Sequence, residues 1–266
     1  MFKTNPDGMR MEPTPERVMS VCRLVAQKKV TRDELREILT LGKAGDKELD
    51  QIDKSITVAL EELNVIKTKD NYFELAVKPE VIASSESFRR FVAAKVFGQS
   101  NTTFAMFTKW LIAQNDNLFS LDKWEVMAVT SGEDVKELSA VDENAVLGWR
   151  FWATFLGIGY LSRTMFLPNM KIRLQDILAT SFNQKFKYGE TIRATDFIDW
   201  LSGKLPEADL SNKLPLAVSA GLRTLHELGL IKLETWRDSN KIMLFFVDGD
   251  PINDFSHITV SEEVCK

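Results

Sequence analysis

Residues 221–247, GLRTLHELGLIKLETWRDSNKIMLFFV, constrain the fold more than any other stretch of the chain. Apolar positions fall at helical spacing up to Gly229, and a glycine closing such a pattern lets the helix turn out through left-handed backbone. Two β-rich runs follow, 231–236 and 241–247, joined by Arg237-Asp238-Ser239-Asn240, the composition of a hairpin turn. A helix leading directly into a hairpin is the closing half of a winged helix-turn-helix, with the hairpin as the wing. The chain contains a second copy. Laid over residues 57–67, residues 222–232 repeat Leu60 as Leu225, Glu62 as Glu227, Leu63 as Leu228, Ile66 as Ile231 and Lys67 as Lys232. The earlier copy also enters strand-like runs, 65–68 and 72–77, around Lys69-Asp70-Asn71. Recurrence within one chain supports the unit better than either copy alone.

The surrounding sequence completes the first unit. A helix over 15–27 carries Val18, Val21, Cys22 and Val25 on one face. Thr31-Arg32-Asp33-Glu34 is a capping box opening a second helix, which points Leu35, Ile38 and Leu39 inward and breaks between Gly42 and Gly45. A third helix, 47–63, repeats Leu49, Ile52, Ile56, Leu60 and Leu63 at helical spacing. The expected fold is mainly α with small β-hairpin wings, tandem winged helix-turn-helix units flanking a helical middle domain. Its divisions are a turn-rich arm (1–15, with Asn5-Pro6-Asp7-Gly8), a first winged helix (16–78), the middle (79–194), a second winged helix (195–250) and a flexible tail (251–266). In the middle, Met127-Ala128-Val129 reads as a short strand and 142–157 as a long helix leaving through Gly157-Ile158-Gly159. Residues 163–167 then read as a reduced wing, which would make the middle a degenerate third copy. In the last unit Thr195-Asp196 is expected to cap a helix over 197–201, and the wing-bearing helix to start after Pro215.

Composition and motifs narrow the chemistry. The longest apolar run, near 152–161, is shorter than the roughly 20 residues of a membrane helix, and no signal-peptide core follows Met1. A cytoplasmic protein with no membrane association is expected. Cys22 and Cys265 lie far apart without a Cys-x-x-Cys, and only His226 and His257 could join a metal site, so neither a disulfide framework nor a bound metal is expected. No phosphate-binding loop, nucleophile elbow or zinc-helix motif occurs. Asp196 and Asp199 read as a solvated helix face and His226 as an outward-facing residue. The chain is expected to be no enzyme and to need no cofactor.

Nucleic-acid binding follows from the expected architecture, since a winged helix offers its third helix to the major groove and its wing to the backbone. The net charge of -4 restricts any such contact to a local patch. In the first unit Lys47, Gln51, Lys54 and Thr57 share their helix with Glu48, Asp50, Asp53, Glu61 and Glu62, which repel phosphate. The last unit offers Arg223, Thr224 and His226 on the helix, with Arg237, Asn240 and Lys241 on the wing. Between 163 and 193, Arg163, Lys171, Arg173, Lys185, Lys187 and Arg193 stand against Asp176 and Glu190, interleaved with Phe182, Phe186 and Tyr188, a pattern that can track a backbone and stack bases. The expected contacts to double-stranded DNA are therefore Arg223, Thr224, Arg237, Asn240 and Lys241, with Lys185 and Lys187 on the backbone. The rival expectation is a protein–protein scaffold that self-associates, as a homodimer, or grips other subunits through apolar and acidic faces.

Asn5-Pro6-Asp7-Gly8 before a winged helix, and GWRFWATFLGIGYL (148–161) followed by Phe166-Leu167-Pro168, resemble the DpdG family, accessory proteins of bacterial islands that insert and police 7-deazaguanine modifications in DNA. The resemblance implies a noncatalytic partner in a multi-subunit defence system and supplies no catalytic residues. In architecture and acidity the chain is also similar to the tandem winged-helix subunits that clamp kleisins in SMC complexes.

Overall fold

The structure is a computed structural model that describes residues 1–3, 9–43, 45–99, 101–121, 123–163, 165–211 and 213–265; the expected Asn5-Pro6-Asp7-Gly8 turn lies outside them. It is mainly helical with small antiparallel sheets. The chain divides into two compact units, Met1–Phe107 with Lys123–Phe155, and Thr108–Asp122 with Leu156–Lys266, so the stretch 79–194 is shared between them. Among the described residues no helix is long and apolar enough to cross a membrane.

The first unit opens as its sequence dictates. Thr14 caps α1 (Pro15–Gln27), which buries Val18, Val21, Cys22 and Val25. The capping box of α2 (Arg32–Thr40) is closed in both directions: Thr31 Oγ1 accepts from Glu34 N at 3.2 Å, and Glu34 accepts from Thr31 N at 2.7 Å. α3 (Asp46–Thr57) continues as a π-helical turn, Val58–Glu62, and leaves through Asn64 at φ 49°. The strands β1 (Ile66–Lys69) and β2 (Tyr72–Leu75) then pair across Asp70 and Asn71, both left-handed, as a two-residue hairpin turn requires. Phe73 N donates to Val30 O at 2.8 Å, so the residue before the Thr31 cap adds to the sheet and β2 lies between Val30 and β1.

An aromatic core fills the rest of this unit, from α4 (Glu80–Ala83), α5 (Ser85–Phe97), the start of α6 (Thr103–Ala113), α7 (Trp124–Asp134) and α8 (Glu143–Phe155). Trp149, Trp152, Phe88, Phe104 and Phe107 are fully buried. Residues 127–129 belong to α7 and not to a strand; three apolar residues carry too little periodicity to separate the two. The described part of the arm is packed. Phe2 meets Phe104 and Trp152 edge-on at 5.1 and 4.9 Å, and Trp152 Nε1 donates to Pro13 O at 2.6 Å. Gly148 lets the backbone at Arg10 lie against α8, since a Cβ there would stand 2.4 Å from Arg10 O.

The second unit holds the hairpin of β3 (Gly159–Ser162) and β4 (Met165–Pro168); the reduced wing expected over 163–167 overlaps its turn and second strand, and its first strand lies earlier. There follow α9 (Lys171–Ser181), β5 (Thr191–Arg193), α10 (Ala194–Ser202), α11 (Leu216–Glu227), β6 (Ile231–Glu234), β7 (Ile242–Met243), β8 (Asp254–Phe255) and β9 (His257–Val260). Three expectations are corrected here. α10 starts at Ala194 with Arg193 in the capping position, so Thr195-Asp196 is not its cap. β6 pairs with β9 and not with 241–247: the turn-like Arg237–Asn240 segment opens a long excursion, whose two arms meet in the small pair β7–β8, before the partner strand arrives. The expected flexible tail is therefore structural, with β9 as the central strand between β5 and β6 and with Ile258 and Val260 fully buried.

The two units share a path. In each, a helix precedes a β-paired position, a single bridge at Val30 in the first unit and the strand β5 in the second, two helices follow, and the third leads into a strand (α1, Val30, α2, α3, β1, β2; α9, β5, α10, α11, β6, β9). In each, the last strand lies between the other two. The aligned repeat marks the same corner, with Asn64 and Gly229 both left-handed, at φ 49° and 69°, and Ile66 and Ile231 both buried.

Candidate nucleic-acid interface

The third helix of the second unit is closed on most sides. Residues 216–219, 221–223 and 225 of α11 are buried. On one flank Gly221 admits the start of α9, where a Cβ would stand 2.8 Å from Lys171 N. On another, the excursion between β6 and β9 folds back over the helix. Arg223, 5% exposed, donates to the carbonyls of Phe245 and Ile252 and pairs with Asp250 at 2.8 Å, while Ser219 Oγ accepts from Phe245 N at 2.8 Å. Arg223 is therefore an internal clamp and not a DNA contact; the sequence period placed it on an outer face because the covering loop comes from residues over twenty positions later. Thr224 is half-buried, donating to Ala220 O and accepting from Asn169 Nδ2. His226 Nδ1 accepts from Leu233 N at 3.1 Å, which fixes the entry to β6.

The other expected contacts are dispersed. Arg237, Asn240 and Lys241 are exposed on the excursion, with Lys241 paired to Asp254 at 3.4 Å. Asn240 lines a pocket of about 260 Å³ with Arg193, Thr195, Asp238, Ser239, Ser256 and His257. Ser256 and His257 stand 3.0 Å apart there, but Ser256 Oγ also accepts from Trp236 N at 2.8 Å and the His257 ring stacks on Trp236 at 3.6 Å, so the pair pins the excursion to the sheet. Lys185 lies over Phe186, and Lys187 is exposed beside Glu190. The aromatic residues interleaved with them are not a base-stacking platform. Phe182, Phe186, Tyr188 and Trp200 pack on one another, and Tyr188 donates to Leu178 O at 3.0 Å. Arg173, counted in the same basic stretch, is buried and paired with Glu207 at 2.7 Å. Asp196 and Asp199 are exposed along α10, as a solvated face would be.

In the first unit α3 offers little free positive charge. Lys54 is held by Asp50 and by Glu12, at 2.6 and 2.9 Å, and those bonds raise its pKa above the ordinary lysine value. Asp53 takes both Arg32 and Arg36. With Asp46, Glu48 and Asp50 exposed, this helix repels phosphate.

The hairpin of the first unit is different. Its register puts Lys67 opposite Glu74 and Lys69 opposite Tyr72 on one face, while Ile66 and Phe73 are buried on the other. Val30 bridges Phe73, which brings the neighbouring Lys29 to the side of Glu74. The Glu74 carboxyl is held below the usual range, first by the hydrogen bond from Lys67 and then by the charges of Lys67, Lys69 and Lys29. Lys67 meets Glu74 at 3.2 Å, whereas Lys29 and Lys69 have no ion-pair partner among the described residues. Three lysines thus share an exposed sheet face with one carboxylate and with Tyr72, itself 43% exposed. Sequence reasoning passed over these residues because it judged the first unit by its third helix and sought wing charge only in the last unit; the alternation Ile66-Lys67-Thr68-Lys69 was the signal available.

Among the described residues no group of three or more His, Cys, Asp or Glu is arranged to hold a metal ion. Compared with protein families, with curated proteins and with solved structures, the chain gives no match.

Proposed function

We propose that this chain is a noncatalytic, tandem winged-helix subunit that associates with duplex DNA through the hairpin wing of its first unit, within a larger cytoplasmic assembly. The winged-helix reading is supported by the path common to both units and by the placement of the last strand between the other two. The DNA reading rests on one observation, the exposed face of Lys29, Lys67 and Lys69 beside the single carboxylate of Glu74. Such a face engages backbone phosphates without reading sequence. The resemblance to the DpdG family supplies the setting of a bacterial defence assembly. Its motif residues are explained by packing: Gly148 by the approach of Arg10, Trp149 and Trp152 by the core, Gly157 by a left-handed turn at φ 76°. The resemblance supplies no catalytic residues to carry over.

The test is binding to duplex DNA across a salt series, comparing Lys67→Glu/Lys69→Glu with Arg237→Glu/Lys241→Glu. The hairpin variant should lose binding, and neutral Lys67→Gln/Lys69→Gln should lower the log–log salt slope by about 0.9 per phosphate contact removed. Arg237→Glu/Lys241→Glu should behave as wild type. Salt-sensitive binding that ignores Lys67 and Lys69, or no binding at low salt, overturns the reading.

A protein–protein adaptor is the second reading, favoured by the second unit: its third helix is enclosed, while Trp236, Met243, Phe246 and Val247 expose apolar surface on the excursion that covers it.

A further inference from the structure

We infer that the first unit's hairpin selects nucleic acid with an open base face, a junction between duplex and single strand, on which Tyr72 stacks. This rests on the DNA reading above and names the feature of DNA that the hairpin takes. Tyr72 follows the left-handed turn Asp70-Asn71 directly and stands opposite Lys69. Residues opposed in an antiparallel pair hold their Cβ atoms about 5 Å apart, so the ring and the Lys69 ammonium reach the same ligand. The buried side of β2 belongs to Phe73, whereas Tyr72 lies on the opposite face and is 43% exposed, which leaves it open to a ligand.

Lys67 and Lys69 lie two residues apart on one strand, about 7 Å, and can follow one nucleic-acid backbone. An intact duplex offers that backbone but keeps its base faces inside the stack, which leaves the Tyr72 ring without a partner. A junction offers both. Asp70, exposed at the turn, disfavours phosphate at the hairpin tip and keeps the backbone toward the lysines.

The experiment compares per-site affinity for a forked oligonucleotide with that for relaxed, covalently closed circular duplex, which has neither ends nor unpaired bases. Wild type should favour the fork by about tenfold, the scale of one base stacked on an aromatic ring. Tyr72→Ala should bring the fork down to the affinity of the circle and leave the circle unchanged, while Tyr72→Phe keeps the preference. Equal, lysine-dependent binding of both DNAs by wild type overturns the junction inference and leaves the DNA reading standing. A fork preference that survives Tyr72→Ala overturns the role of Tyr72. Binding of neither DNA overturns both.

Discussion

Arg223 and Asp250 are joined by an ion pair of 2.8 Å between Nε and Oδ2, and the same guanidinium donates to the carbonyls of Phe245 and Ile252. One side chain therefore fastens the excursion between β6 and β9 to the third helix of the second unit. That arrangement distinguishes the two units: the same path through helices and strands leaves the hairpin uncovered in one and folds its counterpart over the helix in the other.

Removing Arg223 should therefore act on stability. Arg223→Ala leaves Asp250 Oδ2 and two carbonyls without the guanidinium that donates to them, and the expected loss is about 3 kcal/mol. Urea unfolding should show the lower midpoint, while the folded protein keeps the DNA affinity of wild type. A fall in affinity without a fall in stability would return Arg223 to the interface.

The capping box of α2 sets an acid-side dependence. The Glu34 carboxyl is held below its usual range, first by the backbone N–H of Thr31 and then by its hydroxyl. Its stabilising contribution is therefore present above the unfolded carboxyl value of 4.5 and fades as pH falls through the depressed folded value. Glu34→Gln should lower the thermal midpoint at pH 7 and make less difference at pH 3. Thr31→Ala should cost about 1 kcal/mol at neutral pH by equilibrium unfolding.

Glycines at the helix exits should rank by what surrounds them. Gly229, at φ 69° with open space around it, needs only the left-handed backbone, so Gly229→Ala should cost about 1–2 kcal/mol. Gly157→Ala should cost more, because the same strain at φ 76° meets Arg173 N at 2.7 Å. Equal costs in denaturant titrations would contradict the close approach of α9.

The two thiols should differ in reactivity. Burial pushes the Cys22 thiol up to about 12, whereas Cys265 is exposed. Native protein at pH 8 should react with a thiol reagent at Cys265 only, and Cys22 should react after denaturation. Fast native labelling of Cys22 would show that α1 opens.

Local signals made the first unit legible. The apolar spacing of Val18, Val21, Cys22 and Val25, the Thr31–Glu34 box and the Asp70-Asn71 turn each fix their own neighbourhood, and the corresponding elements are present. The second unit depended on partners distant in sequence. Ile231–Glu234 reads as a strand, but its partner His257–Val260 lies beyond a more than twenty-residue excursion, and the nearer run 241–247 imitated a hairpin arm. For the same reason Arg223 looked outward and the lysines of the first hairpin went unweighed, since the fate of each depends on which distant segment covers it.

The last strand gives the strongest test of the second unit. β9 hydrogen-bonds to both β5 and β6 and buries Ile258 and Val260, so a chain ending at Asp250 loses the middle of its sheet and two apolar anchors. The edges left behind cannot close on one another, because neither reaches the other without the strand between them. The expected result is loss of hydrogen-exchange protection at Ile192, whose partner in the ladder is Ile258 of β9, with the amides of Leu35 and Ile56 in the first unit still protected. Retained protection at Ile192 would mean that the residues after 250 are the dispensable tail their polar composition suggests.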